Sequence, residues 1–175
     1  RTTATYELAD SWRGIVGYHA NLRDYQALGD ETFTPNTDTD SHALFMLHEK
    51  RFGVIKLEFG SRYEQLTHQA YELTDSLGSR DLKQKFNLFS WSFGAVYDVM
   101  PNQQLTLSYS QAQRAPAANE LYANGIHIGT RSYEIGVGYE VSNSNGATQI
   151  VHNPALASAE QANNIDLGWR GQFSN

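Results

Sequence analysis

The chain has 175 residues, enough for one ordinary domain. Its formal charge of −6, with no basic cluster, argues against a nucleic-acid partner, because phosphate binding needs grouped Lys and Arg. The lack of cysteine removes a thiol nucleophile and suits an oxidising compartment. No apolar run reaches the ~18 residues of a spanning helix.

Tyr 10, Phe 8 and Trp 3 make the chain aromatic-rich while Pro is scarce at 4, which favours strands. Two strands are expected near 1–9 and 12–22, then one near 41–50. The clearest alternation follows in 53–66, where Ile55, Leu57, Phe59 and Tyr63 oppose Lys56, Glu58, Arg62 and Glu64. A fifth strand near 84–99 sets Phe89, Trp91, Phe93 and Tyr97 against mostly Ser and Gly. A sixth near 103–112 sets Leu105, Leu107 and Tyr109 against Thr106, Ser108 and Ser110. The seventh, near 161–173, sets Ile165, Leu167, Trp169 and Phe173 against Asp166, Gly168, Arg170 and Gln172.

The connections carry as much information as the strands. Links one, three and five are short ("DS", "RF", "PNQ"). Links two, four and six are polar and long, near 23–40, 67–83 and 113–160, or roughly 18, 17 and 48 residues against a usual hairpin loop of 2–5. An antiparallel transmembrane β-barrel puts tight turns at one end and long loops at the other, with strands of about 9–11 residues in the membrane. Aromatics near strand ends (Trp12, Tyr18, Tyr63, Tyr97, Tyr109, Trp169) fit its interfacial girdles. The charged face of 53–66 would then line a wet lumen, since a Lys or Arg facing lipid costs ~2–4 kcal/mol near the midplane. A soluble β-sandwich with one solvated face also alternates and stays open. Seven strands fall short of a bacterial barrel, whose count is even and starts at 8, so the expectation is a slice of a larger barrel.

Two segments carry a family pattern. "RAPAANELY" supplies Arg114, Pro116, Glu120, Leu121 and Tyr122. "NPALASAEQANNIDLG" supplies Asn153, Pro154, Leu156, Glu160, Ile165, Asp166, Leu167 and Gly168. Together they resemble the C-terminal barrel half of TonB-dependent outer-membrane receptors. "ELYANGIHIGTRSYEIG" and the stretch 23–64 resemble the ZnuD family of zinc-uptake receptors more narrowly. The resemblance implies about 7 strands of a 22-strand barrel in the bacterial outer membrane, with the plug domain absent from this chain. It also implies partnership with the TonB complex through that plug. Zinc is the implied cargo; a haem or siderophore receptor of the same fold remains an alternative, as does a soluble loop-displaying binding or antigen module. Val137–His152 departs from the family by intervening before the Asn-Pro step.

Within that frame the histidines are candidate cargo contacts, because zinc takes imidazole nitrogen and carboxylate oxygen near 2.0–2.2 Å. His127 stands in the segment that resembles the zinc receptors, and Glu134 follows in the same loop. His19 shares a face with Arg13. His42 opposes Phe45 and Leu47, so both histidines are expected to point inward across one excursion. Asp38 and Asp40, with Asp30 and Glu31, would attract cations or add ligands. The plain alternative for each is a solvated loop residue, and Glu120 reads as structural. Enzyme signatures such as H-E-x-x-H, G-x-S-x-G and a P-loop are missing from the sequence.

Overall fold

A computed structural model describes residues 1–9, 12–29, 32–144 and 146–171. In chain order it contains β1 (Thr2–Ala9), β2 (Trp12–Tyr25), β3 (Thr37–Phe52), β4 (Ile55–Asp75), β5 (Gly78–Met100) and β6 (Gln103–Arg114). A short helix α1 (Ala118–Tyr122) follows, then the hairpins β7 (Asn124–His127)–β8 (Ser132–Ile135) and β9 (Tyr139–Ser144)–β10 (Ala147–His152). A 3₁₀ turn at Pro154–Leu156 leads into β11 (Glu160–Gly171). The order β1-β2-β3-β4-β5-β6-β11 makes one antiparallel seven-stranded sheet. The expected all-β fold with seven successive strands is what forms. The link Asp10–Ser11, Asp30, Glu31 and the expected strand residues Gln172 and Phe173 lie outside the described residues.

Cross-strand partners share a face, so the register sorts the side chains. Tyr18, Leu44, Tyr63 and Phe89 form one row; Phe59, Phe93, Tyr109 and Ile165 a second; Ile55, Tyr97, Leu105 and Trp169 a third. Apart from the half-buried Tyr109, these large apolar groups stay exposed, as they must if lipid rather than protein covers them. The boundary where the rows turn polar drops from Tyr63 on β4 to Tyr109 on β6, oblique to the hydrogen-bond rows. Strand tilt in a closed barrel requires that obliquity. Near the tight turns the Lys50 ammonium lies on the same face, 4.4 Å from the Trp12 ring and 4.9 Å from Phe52, with its stem over apolar surface and its charge toward the sheet end.

The opposite face is ionic. Arg13 meets Glu49 at 2.6 Å, Lys56 bridges Glu49 (3.4 Å) and Glu58 (2.7 Å), and Arg62 meets Glu64 at 2.9 Å. These are the charges expected to line a wet interior. Gly17 sits on this face beneath the Phe45 ring, which occupies the space a Cβ would need.

Two expectations are corrected. The stretch 67–83 is strand on both sides of a turn at Ser76–Leu77, so β4 and β5 run 21 and 23 residues. About ten of those suffice to cross a bilayer; the rest extend beyond it, where no lipid imposes apolar alternation. Second, Phe45 and Leu47 lie on the ionic face, because Phe45 pairs with Gly17 and Arg62. His42 therefore points to the apolar side, opposite to the inward orientation expected for it.

The excursion between β6 and β11 folds back onto the ionic face at the loop end. Leu121 and Tyr122 are fully buried there against Ala70, Leu73, Phe86 and Leu88, with Ala115 and Tyr139 closing the cluster. Burial of Leu73 and Leu121 contributes roughly 1.5–3 kcal/mol each. This packing turns a long polar loop into a cap.

Candidate functional site

The cap is fixed at its entry, middle and exit. Arg114, last in β6, donates to Glu120 of α1 at 2.8 Å and to Glu160, first in β11, at 2.6 Å. Glu120 also accepts the Ala117 N–H at 2.7 Å, which satisfies an otherwise orphaned donor at the start of α1. These contacts hold the Glu120 carboxyl below its ordinary range, the Arg114 hydrogen bond first and the Ala117 N–H second. Glu120 is thus engaged in holding backbone, in keeping with its structural reading.

From α1 the chain enters the β7–β8 hairpin, where Asn124 N–H donates to the Phe33 carbonyl at 2.7 Å. Gly125 pairs with Glu134 and His127 with Ser132, so His127 and Glu134 project from one face. His127 Nδ1 lies 2.6 Å from Glu134 Oε1, and the imidazole packs 5.1 Å from the Phe33 ring. Both side chains are roughly 40 % exposed (41 % and 39 %). A carboxylate on Nδ1 selects the tautomer with its proton there and turns the Nε2 lone pair outward. The arrangement matches the carboxylate that sits behind a metal-bound histidine, fixing ring orientation and raising basicity.

The other expected residues do not join this pair. His42 has Asp40 Oδ1 3.0 Å from Nε2 and the Tyr18 hydroxyl on Nδ1, so both ring nitrogens are occupied. His19 pairs in register with Ala43 and lies on the ionic face, while His42 pairs with Ala20 on the other. The two histidines are thus one register step apart with the sheet between them. Asp38 accepts from Tyr71 Oη at 2.9 Å and pairs with Asp24 across β2–β3. Among the described residues no group of three or more His, Asp or Glu side chains is gathered to hold a metal ion.

Sequence reasoning missed an acidic groove of about 430 Å³ at the loop end, with Asp24, Asp38, Glu72 and Asp81 along it. Its signal was hidden because it depends on strand register beyond the expected ends of β2, β3, β4 and β5. Glu72 adopts φ 52° beside a bulge between Ala70 and Leu73, its N–H held by Asp81 Oδ1 at 3.0 Å. The register places Asp24, Asp38 and Asp81 on the apolar face of the sheet, opposite the face on which the cap packs.

Val137–His152, the stretch that departs from the family pattern, forms the β9–β10 hairpin and docks on the β4–β5 turn. Ser76 N–H donates to the Ile150 carbonyl at 2.9 Å, Ile150 N–H to Ser76 Oγ at 2.9 Å, and His152 N–H to Asp75 Oδ2 at 2.8 Å. Asp75 is itself paired with Arg80 at 2.7 Å and has no exposed side-chain surface. His68 and His152, which stood among the loop histidines, are 3 % and 4 % exposed.

A family model described as "TonB dependent receptor-like, beta-barrel" matches residues 1–175. No curated protein and no solved structure matches the chain significantly.

Proposed function

The chain belongs to the TonB-dependent receptor β-barrel family, and on that premise we propose that it forms part of an outer-membrane receptor that takes up zinc or a small zinc complex, akin to the ZnuD receptors. Members of this family are transporters rather than enzymes. The observation that carries the cargo reading is the 2.6 Å contact between His127 Nδ1 and Glu134 Oε1 at the loop end. It leaves Nε2 as a preset, half-exposed lone-pair donor for a metal. One imidazole is a weak hold by itself, and weakness suits the task. A receptor must pass its cargo on, so a closed four-ligand cage of the structural zinc type would defeat it. His19, His42, Asp38 and Asp40 stand apart from this pair: His19 lies on the opposite face from His42, whose ring nitrogens, like the Asp38 carboxylate, already have partners.

Calorimetric titration of Zn²⁺ into the full-length receptor tests this reading. His127→Ala is expected to weaken binding at least tenfold. Glu134→Gln should cost between about 10- and 100-fold, the range seen for groups that orient a metal ligand. His19→Ala and His42→Ala should change affinity less. Unaltered zinc affinity in His127→Ala sinks the assignment, and tighter binding of haem than of zinc by the same protein would redirect it to a haem receptor.

A further inference from the structure

His68 and His152 are the two buried histidines of the cap, one under each end of it. His68, on β4, has Nε2 3.1 Å from the Pro116 carbonyl and Nδ1 2.8 Å from Thr39 Oγ1. It therefore donates from Nε2 and accepts at Nδ1, a neutral tautomer that ties the cap entry to β3 and β4. His152 closes the β9–β10 hairpin, and neither of its ring nitrogens has a hydrogen-bond partner among the described residues. Tyr122, fully buried, stands between them, its ring centroid 6.3 Å from His68 and 5.5 Å from His152.

We propose that Pro116–His152 is a pH-released strap, docked on the inner face of the sheet while His68 and His152 are neutral and freed when they take up protons. The inference concerns how the loop end opens and does not depend on which cargo passes.

The surroundings of each ring decide the sign. Around His152 lie Tyr122 of α1, Tyr139 of β9, Asp75 of β4 and Arg80 of β5. Asp75 is the one group there that favours an imidazolium, and it is already engaged by Arg80. Around His68 lie Thr39 of β3, Phe86 of β5, Tyr122 of α1 and the Pro116 carbonyl, with Arg23 of β2 the nearest charge that acts on it. Burial lowers both histidines below the ordinary value of 6.5, with Arg80 adding to the effect at His152 and Arg23 at His68. A released strap exposes both rings and restores ordinary affinity for protons. Docking is then complete above about pH 6.5 and weakens below it, because only the released form binds the protons readily. The opening equilibrium gains up to about tenfold per pH unit for each histidine.

The strap also has a release geometry. Its two ends are the Arg114–Glu120–Glu160 clamp and the Pro154–Leu156 turn, both exposed and both outside the buried cluster. Opening can therefore pivot on these ends without unpairing β6 from β11.

Hydrogen exchange of the full-length receptor in detergent, followed by mass spectrometry at pH 7.5 and 5.5 and normalised to unstructured peptides, tests the proposal. Protection in peptides covering 116–123 and 139–152 should fall at least tenfold at the lower pH, while β5 and β6 near Phe93 and Leu107 stay protected. His152→Gln and His68→Gln should each flatten part of that fall. If His152→Gln prevents docking, His152→Phe keeps a ring and lacks the nitrogens, and should retain only the part of the fall that His68 supplies. Equal protection of the wild-type strap at the two pH values overturns the proposal, as does a full-sized fall in the double Gln variant.

Discussion

Arg114 and Glu160 face each other as the register partners that begin the β6–β11 ladder, with Nη2 2.6 Å from Oε2. The same guanidinium holds Glu120, so one side chain joins the last residue of one strand, the first of the next and the helix between them. The planar fork grips each carboxylate with two nitrogens, Nη1 and Nη2 on Glu120 and Nε and Nη2 on Glu160, a geometry a lysine ammonium does not match.

Arg114→Lys is accordingly expected to loosen the excursion almost as much as Arg114→Ala. Limited proteolysis of the receptor should show cleavage within 115–123 several times faster in both variants. The three side chains are about half exposed, so global thermal stability should hardly move.

Asp75 has the opposite character, a carboxylate without exposed surface that receives Arg80 and two backbone N–H groups. The Arg80 hydrogen bond first, and the His152 and Leu77 N–H groups after it, pull the carboxyl down to about 2 from 3.8. A depressed carboxyl stabilises above its unfolded value and loses that stabilisation as pH falls through its folded one. Asp75→Asn should thus release the β9–β10 hairpin at neutral pH. Read by exchange in peptide 147–152 at pH 7.5, where the wild-type strap is docked, the variant should be the less protected; the Asp75 contribution that separates them is lost between pH 3.8 and about 2.

Tyr122 and Leu121 are adjacent and both fully buried, yet their truncations should differ in kind. Leu121→Ala leaves a cavity and is expected to cost about 2–5 kcal/mol of cap stability. Tyr122→Phe removes a hydroxyl that has no partner among the described residues and should be neutral or slightly stabilising. Denaturant titration of protection in the α1 peptide measures both.

What the sequence disclosed follows from where lipid acts on it. Strands β4, β5, β6 and β11 were legible over Ile55–Tyr63, Phe89–Tyr97, Leu105–Tyr109 and Ile165–Trp169, because there one face must be apolar and the other wet. Beyond the bilayer β4 and β5 continue through His68–Leu82 with no such constraint, held by their ladder, the Asp75–Arg80 pair and the packing of Ala70 and Leu73 under the cap. On β3 the run Leu44–Leu47 is apolar at four successive positions, so periodicity could not assign its faces. Phe45 covers Gly17, a relation visible only once the strands are in register. The pairing of His127 with Glu134 needed a turn at Ile128–Arg131, with Arg131 at φ 55°; the residues were legible and their contact was not. His68 and His152 became core residues through docking of a segment distant in sequence, which no local pattern encodes.

Alternate exposure along β6 tests the account at its centre. This chain has no cysteine; with any elsewhere in the full-length receptor replaced, single cysteines at 104 to 109 can carry spin labels in liposomes. Positions 105, 107 and 109 should be relaxed by oxygen from the lipid, and 104, 106 and 108 by a water-soluble nickel chelate, with a period of two. Nickel access at all six positions would contradict a membrane barrel and leave a soluble sheet in its place.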